Sequence, residues 1–259
     1  MVGAMVADVC FTARPSDIII ATYPKSGATW IKSLLYATVL REEHPADAAD
    51  HPFNSSSPHE CIKFFEYNLY THDKIPDLKG LPGPRLFATH VPFVWLPSTI
   101  VTSGCKIVYV CRDPKDTFDL VVALRKQDKR AWDRFEPLSV DIAVESFCNG
   151  LSPFGPYWDH VLGYWQAHLA HPDRVLFFSA GEEEDGVVDA IVRLCSFEHT
   201  TGLEVTKDGK TDSVRGPVPN SVLFPRGMVR DWVNHMSPEM ARRIDVITEE
   251  KFKDTALSV

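Results

Sequence analysis

Short apolar runs alternate with longer segments of helical spacing from one end of this 259-residue chain to the other. Four of the short runs have the composition expected of strands that are buried on both faces. We predict strands at Ile18–Thr22, Leu86–Thr89, Lys106–Val110 and Val175–Phe178. This alternation is typical of an α/β fold with a central, mostly parallel sheet flanked by helices. There is no internal repeat or low-complexity tract, so we expect a single domain over residues 1–259.

Helices are predicted where apolar residues recur every three or four positions. In the first, Trp30–Leu40, the apolar positions share one face, and we expect Lys32 and Ser33 to point outward. Further helices are predicted from about Thr117, over Val140–Cys148, after Pro156, over 185–195, and after a Ser-Pro-Glu start signal at Ser237. Composition predicts loops at 51–59 and 206–219.

Composition also argues against several classes of partner. The net charge is −8 and no run of basic residues occurs, so we expect no binding to nucleic acid or to an anionic membrane. No apolar run approaches the roughly 20 residues of a membrane helix, and the apolar N-terminus lacks a basic n-region. Six cysteines occur without CxxC pairs, which predicts reduced, buried thiols and no metal site. We therefore expect a cytoplasmic protein.

Polar residues follow each of the first three predicted strands. The first strand runs into "YPKSGAT", the second into "HVP" and the third into "CRDPKD". In an open α/β sheet, ligands bind beyond the carboxyl ends of the strands. We therefore predict that Lys25, His90 and Arg112 lie at one edge of the sheet.

The stretch "TYPKSGATW" predicts a loop that binds a phosphate group. At a strand-to-helix loop, backbone N–H groups and the positive end of the helix dipole attract an anion. Gly27 permits close approach of the backbone, and Lys25 adds a charge. In nucleotide triphosphatases the lysine follows the second glycine, whereas here it precedes the only glycine of the loop. A nucleotide kinase or triphosphatase therefore fits poorly, and a solvated turn lysine is the other alternative.

Several longer motifs resemble those of the cytosolic sulfotransferases, particularly the plant branch. "TYPKSG-TW" resembles their 5'-phosphosulfate loop, and "YVCRDPKDTF" resembles their 3'-phosphate site. The likeness continues through "LFATHVPF-WLPSTI", "FGPYWDHVLGYWQAH" and "SPEMARRIDVITEEKFK". The resemblance implies a P-loop-like sulfotransferase fold. Such a protein binds 3'-phosphoadenosine 5'-phosphosulfate (PAPS) and releases adenosine 3',5'-bisphosphate (PAP), and needs no metal.

The resemblance also implies roles for individual residues. His90 is the expected base that takes the proton of a hydroxyl acceptor, and Lys25 is expected to stabilise the leaving oxygen. Arg112 matches the residue that binds the 3'-phosphate, although without the resemblance its sequence context favours a solvated surface ion pair with Asp113 or Asp116. The expected PAPS-binding residues are Lys25, Ser26, Gly27, Ala28, Thr29, Trp30, Arg112, Ser196, Phe197, Arg226 and Gly227.

Aromatic residues are expected beside both ligands. Trp30 resembles the residue that packs on the adenine ring, although its helical spacing equally suits the core. Phe93, Trp95, Phe154 and Tyr157 are candidates for an apolar acceptor pocket, although half or more of them equally suit the core. The implied acceptor is a small hydroxylated molecule of phenol, flavonoid, steroid or plant-hormone type.

The chain departs from the family pattern at several positions. Ala28 stands where a second threonine is expected and Leu120 where a serine is expected. Pro225 alters the second 3'-phosphate loop, and Arg230 stands where the family has a later glycine. A segment near residue 180 is missing, and the N-terminal lid is short. The alternative function is therefore that of a catalytically degenerate homologue that binds a nucleotide, another ligand or a partner protein.

Overall fold

The fold is described from a computed structural model of the chain. The structure describes residues 2–70, 75–118, 139–179, 204–211, 218–220 and 230–257.

A four-stranded parallel sheet forms the centre of the fold. Its strands are β1 (Ile18–Thr22), β2 (Leu86–Thr89), β3 (Lys106–Cys111) and β4 (Val175–Ser179), in the order β2-β1-β3-β4. The four predicted strands are confirmed, with β3 and β4 each one residue longer than predicted. Because all strands run the same way, the segments that follow β1, β2 and β3 meet at one edge of the sheet.

Helices lie between and around the strands. They are α1 (Val2–Cys10), α2 (Ala28–Val39), α3 (Pro58–Cys61), α4 (Ser98–Thr102), α5 (Val140–Cys148), α6 (Tyr157–Ala170), α7 (Glu204–Lys207) and α8 (Pro238–Phe252). Four predicted helices are confirmed: the first helix, the helix over 140–148, the helix after Pro156 and the helix after Ser237. A helix also begins at residue 114 and is described to residue 118, whereas the helix predicted over 185–195 lies outside the described residues.

Both predicted loops contain short elements that composition did not indicate. Residues 51–59 include a 3-10 turn, Pro52–Asn54, and the start of α3. The backbone N–H of Ser57 donates to Glu60 at 2.8 Å, which completes a capping box and allows this short helix to form. In the second loop, α7 is followed by an antiparallel pair of strands, β5 (Lys210–Thr211) and β6 (Val218–Pro219).

The sheet has an apolar layer on each face, as its continuous apolar strands predict. Alternate residues of a strand point to opposite faces. Ile19 and Tyr109 therefore join the core beneath α1, α6 and α8, whereas Ile20 and Val108 join a second core beneath α2. This double burial explains why the strands are apolar at nearly every position.

The expectation that Lys32 and Ser33 point outward was wrong, because both are buried. Helix α2 is covered on its second side by α3 and by the extended residues Ile62 and Phe64. Periodicity marks the face of α2 that packs on the sheet, but it carries no information about this additional layer. A lysine that is 0% exposed needs partners, and those of Lys32 lie within the covering layer.

The five cysteines of the described residues are all free thiols. Cys105 and Cys111 are buried as predicted, but Cys10 is exposed, so the prediction of burial was wrong for that residue. Within the described part of the chain, no helix is long and apolar enough to cross a membrane. The same residues contain no group of three or more His, Cys, Asp or Glu side chains arranged to hold a metal ion.

Candidate functional site

The loop between β1 and α2 turns sharply. Lys25 and Gly27 both have a positive φ, of 70° and 102°, and the N–H of Ser26 donates to the carbonyl of Tyr23 at 3.1 Å. A side chain at Gly27 would meet no atom within 4 Å, so glycine is favoured there by backbone conformation and not by space. Gly27 precedes the first turn of α2, whose N–H groups point back toward the loop. The loop therefore has the form of an anion-binding site.

Lys25 lies within this loop, where burial lowers the pKa of its ammonium group to about 8. Loss of hydration disfavours the charged form, so a bound anion would restore a favourable environment for the charge. Ser26 is buried, with its Oγ 3.4 Å from Oγ1 of Thr117. The hydroxyl of Thr29 lies 2.9 Å from Nε2 of His59. The loop thus combines a poorly hydrated cation with hydroxyl groups in defined positions.

His90 follows β2 directly beside the start of this loop. Its Nδ1 lies 2.8 Å from the carbonyl oxygen of Thr22 and 3.1 Å from the hydroxyl of the same residue. A carbonyl oxygen only accepts, so Nδ1 carries the hydrogen and Nε2 carries the lone pair. Burial lowers the pKa of His90 to about 3, which keeps the imidazole neutral at pH 7. The ring is therefore held as a proton acceptor at Nε2.

The backbone of His90 is fixed on both sides. Its N–H donates to the carboxylate of Glu66 at 2.6 Å, and its carbonyl accepts from Nε2 of His160 at 3.0 Å. Because Nε2 of His160 is the donor, its Nδ1 accepts from the hydroxyl of Tyr109 at 2.9 Å. Burial raises the pKa of Glu66 to about 7 and lowers that of His160 to about 4. These buried groups hold the ring of His90 in one place and one orientation.

Aromatic rings surround the imidazole of His90. The ring centroids of Phe64, Phe154 and Tyr67 lie 4.4, 5.6 and 5.9 Å from its centroid. Of these, only Phe154 was predicted. Phe64 and Tyr67 lie in the "FFEYNLY" segment around a π-helical turn, Phe65–Leu69, and the density of aromatic residues there was an available signal.

The other predicted pocket aromatics lie elsewhere. Tyr157 belongs to the core, and its hydroxyl donates to the carbonyl of Arg112. Phe93 packs edge-on against Tyr164, with a centroid distance of 5.5 Å, whereas Trp95 is exposed. The expectation that Tyr157 lines a pocket was therefore wrong, because its ring is enclosed in the core.

Arg112 follows β3, and its Nε donates to Asp116 at 3.3 Å. Both side chains are largely buried, so this is a sheltered ion pair and not the solvated pair that sequence suggested. The same Asp116 oxygen accepts the N–H of Arg230 at 3.0 Å, and Arg230 has a φ of 67°. The residue that stands in place of a family glycine thus adopts a left-handed conformation, which glycine favours.

The structure brings several predicted site residues together. His90 contacts the residue that opens the loop of Lys25, Ser26, Gly27, Ala28 and Thr29. Trp30 is 52% exposed, so the alternative of a core residue was wrong. The predicted residues Ser196, Phe197, Arg226 and Gly227 lie outside the described residues, as do Leu120, Pro225 and the region around 180.

Sequence reasoning missed three buried polar residues beside the loop. They are Lys32 on α2, His59 on α3 and Glu66 in the π-helical turn. No local motif marks them, because their partners are distant in sequence. Lys32 and Glu66 are polar residues inside otherwise apolar stretches, whereas His59 follows a run of serines.

The chain is similar in sequence to known proteins. The family model described as "Sulfotransferase domain" matches residues 15–183 and 179–256. Cytosolic sulfotransferase 16 of Arabidopsis thaliana is 41% identical to this chain, over 95% of the chain and 79% of its own length. Cytosolic sulfotransferase 5 of the same plant is 39% identical, over 95% of the chain and 83% of its own length.

The structure is also similar to solved structures of sulfotransferases. A crystal structure from Arabidopsis thaliana, assigned as a steroid sulphotransferase, has a TM-score of 0.73 and 33% identity, over 99% of this chain and 83% of the other. A mouse sulfotransferase complexed with PAP has a TM-score of 0.70 and 24% identity, over 98% of this chain and 90% of the other, and shows the likeness of fold. The expected α/β sulfotransferase fold is confirmed, and with it sulfuryl transfer in general is supported. The chain belongs to the sulfotransferase family.

Proposed function

We propose that this protein transfers the sulfuryl group of PAPS to a hydroxyl group of a small acceptor. The observation that carries the proposal is the orientation of His90. Its Nδ1–H donates to the carbonyl of Thr22, which leaves the lone pair of Nε2 to accept a proton beside the β1–α2 loop. A neutral, fixed imidazole next to an anion-binding loop suits transfer of a charged group to a hydroxyl oxygen.

In the proposed reaction, Nε2 of His90 accepts the proton of the acceptor hydroxyl while the hydroxyl oxygen bonds to sulfur. The bond between sulfur and the bridging oxygen breaks, and Lys25 stabilises the negative charge that grows on that oxygen. A pKa of about 3 makes His90 a weak base in the free protein. The negative charges of a bound phosphosulfate would raise that pKa toward neutrality, and thereby strengthen the base when the donor is present.

For the donor, we propose that backbone N–H groups of residues 26–30 and the hydroxyls of Ser26 and Thr29 bind the 5'-phosphosulfate. The exposed ring of Trp30 is available to pack on adenine. We assign Arg112 to the 3'-phosphate, where its guanidinium would bind the ligand while sharing Asp116. Ser196, Phe197, Arg226 and Gly227 keep the donor-binding roles that the family resemblance implies.

For the acceptor, we propose that the rings of Phe64, Tyr67 and Phe154 form the walls around His90. Apolar, flat walls suit a phenol, flavonoid, steroid or plant-hormone type of acceptor. We further propose one sulfotransferase domain over residues 1–259, with a missing segment near residue 180. Because its curated relatives are named cytosolic, we propose that it acts in the cytoplasm.

Calorimetric titration of the purified protein with PAP, ATP and adenosine 5'-phosphosulfate tests the donor site without knowledge of the acceptor. We expect saturable binding of PAP that depends on the 3'-phosphate and weakens in Arg112→Ala. Transfer is then measured with PAPS and a panel of hydroxylated acceptors. If PAP does not bind at millimolar concentration, the proposal is overturned, and the alternative of a degenerate homologue with another ligand or partner is favoured.

A further inference from the structure

A line of buried polar contacts leads from the layer that covers α2 to the phosphosulfate loop. The Nζ of Lys32 lies 3.1 Å from Nδ1 of His59, and Nε2 of His59 lies 2.9 Å from Oγ1 of Thr29. Lys32 is fully buried and His59 nearly so. Neither residue is part of the proposed reaction, although a buried lysine that faces apolar rings is costly to retain.

The surroundings of Lys32 suit an ammonium group. Its Nζ lies 2.8 Å from the carbonyl oxygen of Ile62, 3.1 Å from Nδ1 of His59 and 3.3 Å from the centroid of the Phe64 ring. The carbonyl oxygen and the face of the Phe64 ring are electron-rich, and an ammonium has three N–H groups and no lone pair, so its third N–H is directed to Nδ1 of His59. Burial lowers the pKa of Lys32, and the nearby Glu66 acts in the opposite direction.

An ammonium at Lys32 determines the hydrogen positions of its neighbours. Because Lys32 donates to Nδ1 of His59, the hydrogen of that neutral imidazole must sit on Nε2. Nε2–H then donates to Oγ1 of Thr29, and the hydroxyl hydrogen of Thr29 is directed away from His59. Burial and the charge of Lys32 both lower the pKa of His59, which keeps its ring neutral.

We propose that Lys32 and His59 are positioning residues that hold the hydroxyl of Thr29 as a hydrogen-bond donor to the 5'-phosphosulfate. This inference rests on the proposed function, because it assumes that the β1–α2 loop binds the donor. The proposed role explains why a lysine is present at this buried position. The relay matters more in this chain because Ala28, beside Thr29, provides no hydroxyl.

Two amide variants of His59 separate positioning from packing. In His59→Gln, the side-chain NH₂ reaches the position of Nε2 and keeps a donor to Thr29. In His59→Asn, the shorter side chain reaches only the position of Nδ1 and leaves Thr29 without that donor. We expect His59→Asn to weaken PAP binding by about tenfold, the scale of one hydrogen bond to a charged group, and His59→Gln to bind nearly as the wild type does.

The pair is then repeated in a Thr29→Val background. Since the relay acts only through the hydroxyl of Thr29, both His59 variants should bind PAP equally once that hydroxyl is gone. Calorimetry with the full chain measures all six proteins, and thermal unfolding monitors their stability. Equal affinity of His59→Gln and His59→Asn in the wild-type background, or an unchanged difference between them in the Thr29→Val background, would overturn the inference.

A second measurement uses the free wild-type protein, so it requires neither a ligand nor a correctly folded variant. The ¹⁵N chemical shifts of histidine in the free wild-type protein report which ring nitrogen carries the hydrogen. We expect the His59 signal to show hydrogen on Nε2, and hydrogen on Nδ1 would contradict the relay. If instead the wild type binds no PAP, the proposed function fails and takes the inference with it, whereas PAP binding with the wrong tautomer removes the inference alone.

Discussion

The two basic sites at the edge of the sheet differ in how their cations are held. Lys25, on the β1–α2 side, lies in a tight loop where burial lowers its pKa to about 8. Arg112, on the β3 side, is already paired with Asp116, which also accepts the N–H of Arg230. An anion near Lys25 would compensate for lost hydration, whereas an anion at Arg112 must share the guanidinium with a carboxylate. This difference is consistent with the roles proposed for the two residues, Lys25 in the chemical step and Arg112 in binding of the 3'-phosphate.

The buried environment also differs between the two sides. Around the β1–α2 loop, three buried residues are hydrogen-bonded to the proposed site. Glu66 and His160 bond to the backbone of His90, and His59 bonds to the hydroxyl of Thr29. Such a network fixes orientation at the cost of desolvated polar groups. On the β3 side, the backbone of Arg230, with its positive φ, donates to Asp116 and accepts from the N–H of Val233.

The largest expected effect follows from removing the base. His90→Ala should lower the rate of transfer by roughly 10²–10⁴, the usual contribution of a general base, and leave PAP affinity nearly unchanged. Turnover of PAPS with the best acceptor of the panel, beside calorimetry with PAP, measures the two effects separately. His90→Asn keeps a donor to the carbonyl of Thr22 without a base at Nε2 and should be equally slow. The exposed His171→Ala serves as the control, and wild-type turnover in His90→Ala would remove His90 from the mechanism.

The β3 side is tested by Arg112→Ala. We expect PAP affinity to fall roughly ten- to hundredfold, because a hydrogen-bonded charge contact to phosphate is lost. Affinity for adenosine 5'-monophosphate, which lacks the 3'-phosphate, should change little. Lys115→Ala is the matched control, since Lys115 lies three residues after Arg112 and pairs with Asp113 and Asp245. Equal losses for both nucleotides would show that Arg112 does not distinguish the 3'-phosphate.

The buried histidines of the β1–α2 side predict sensitivity to acid. Burial lowers the pKa of His90 to about 3, that of His160 to about 4 and that of His59 well below 6.5. Their contribution to stability is therefore present above pH 6.5 and is lost as the pH falls, because only the unfolded chain binds these protons. Burial raises the pKa of Glu66 to about 7, so the folded protein binds this proton more tightly than the unfolded chain does. The contribution of Glu66 to stability therefore increases as the pH falls.

The pKa is lowered for three histidines and raised for one carboxyl. Near pH 5, unfolding is therefore accompanied by a net uptake of about two protons. The free energy of unfolding should therefore fall by roughly 2–3 kcal/mol per pH unit there. Urea unfolding at pH 7, 6 and 5 measures this slope. His160→Gln, which retains a donor toward the carbonyl of His90, should reduce the slope by about one proton, and an unchanged slope in that variant would contradict the assignment.

The smallest expected effect concerns the backbone at Arg230. A left-handed conformation costs a residue with a side chain roughly 1 kcal/mol more than glycine. Arg230→Gly should therefore raise the free energy of unfolding by about 1 kcal/mol relative to Arg230→Ala, which also lacks the charged side chain but keeps the strain. Urea unfolding at pH 7 makes the comparison. Equal stability of the two variants would mean that the φ of residue 230 carries no cost.

Much of the fold could be predicted because its signals are local. Short apolar runs such as Lys106–Cys111 differ in length and spacing from the amphipathic pattern of α2, and the residues that follow each strand are read directly from the chain. That parallel strands present Lys25, His90 and Arg112 at one edge follows from topology alone. The wrong predictions concern the exposure of Lys32, Ser33, Tyr157 and Cys10, which depends on packing against elements distant in sequence.

The sequence by itself determined the α/β class, the sheet and the loop, because hydrophobic period and strand-to-helix turns are properties of neighbouring residues. Only the tertiary structure decided that Lys32 is buried, that Glu66 and His160 fix His90, and that the ion pair of Arg112 with Asp116 is sheltered from solvent. The physical reason is that burial of a polar group and its pKa depend on partners brought together by packing. No local pattern encodes those partners, since each contact joins segments that lie apart in the chain or that turn back on themselves.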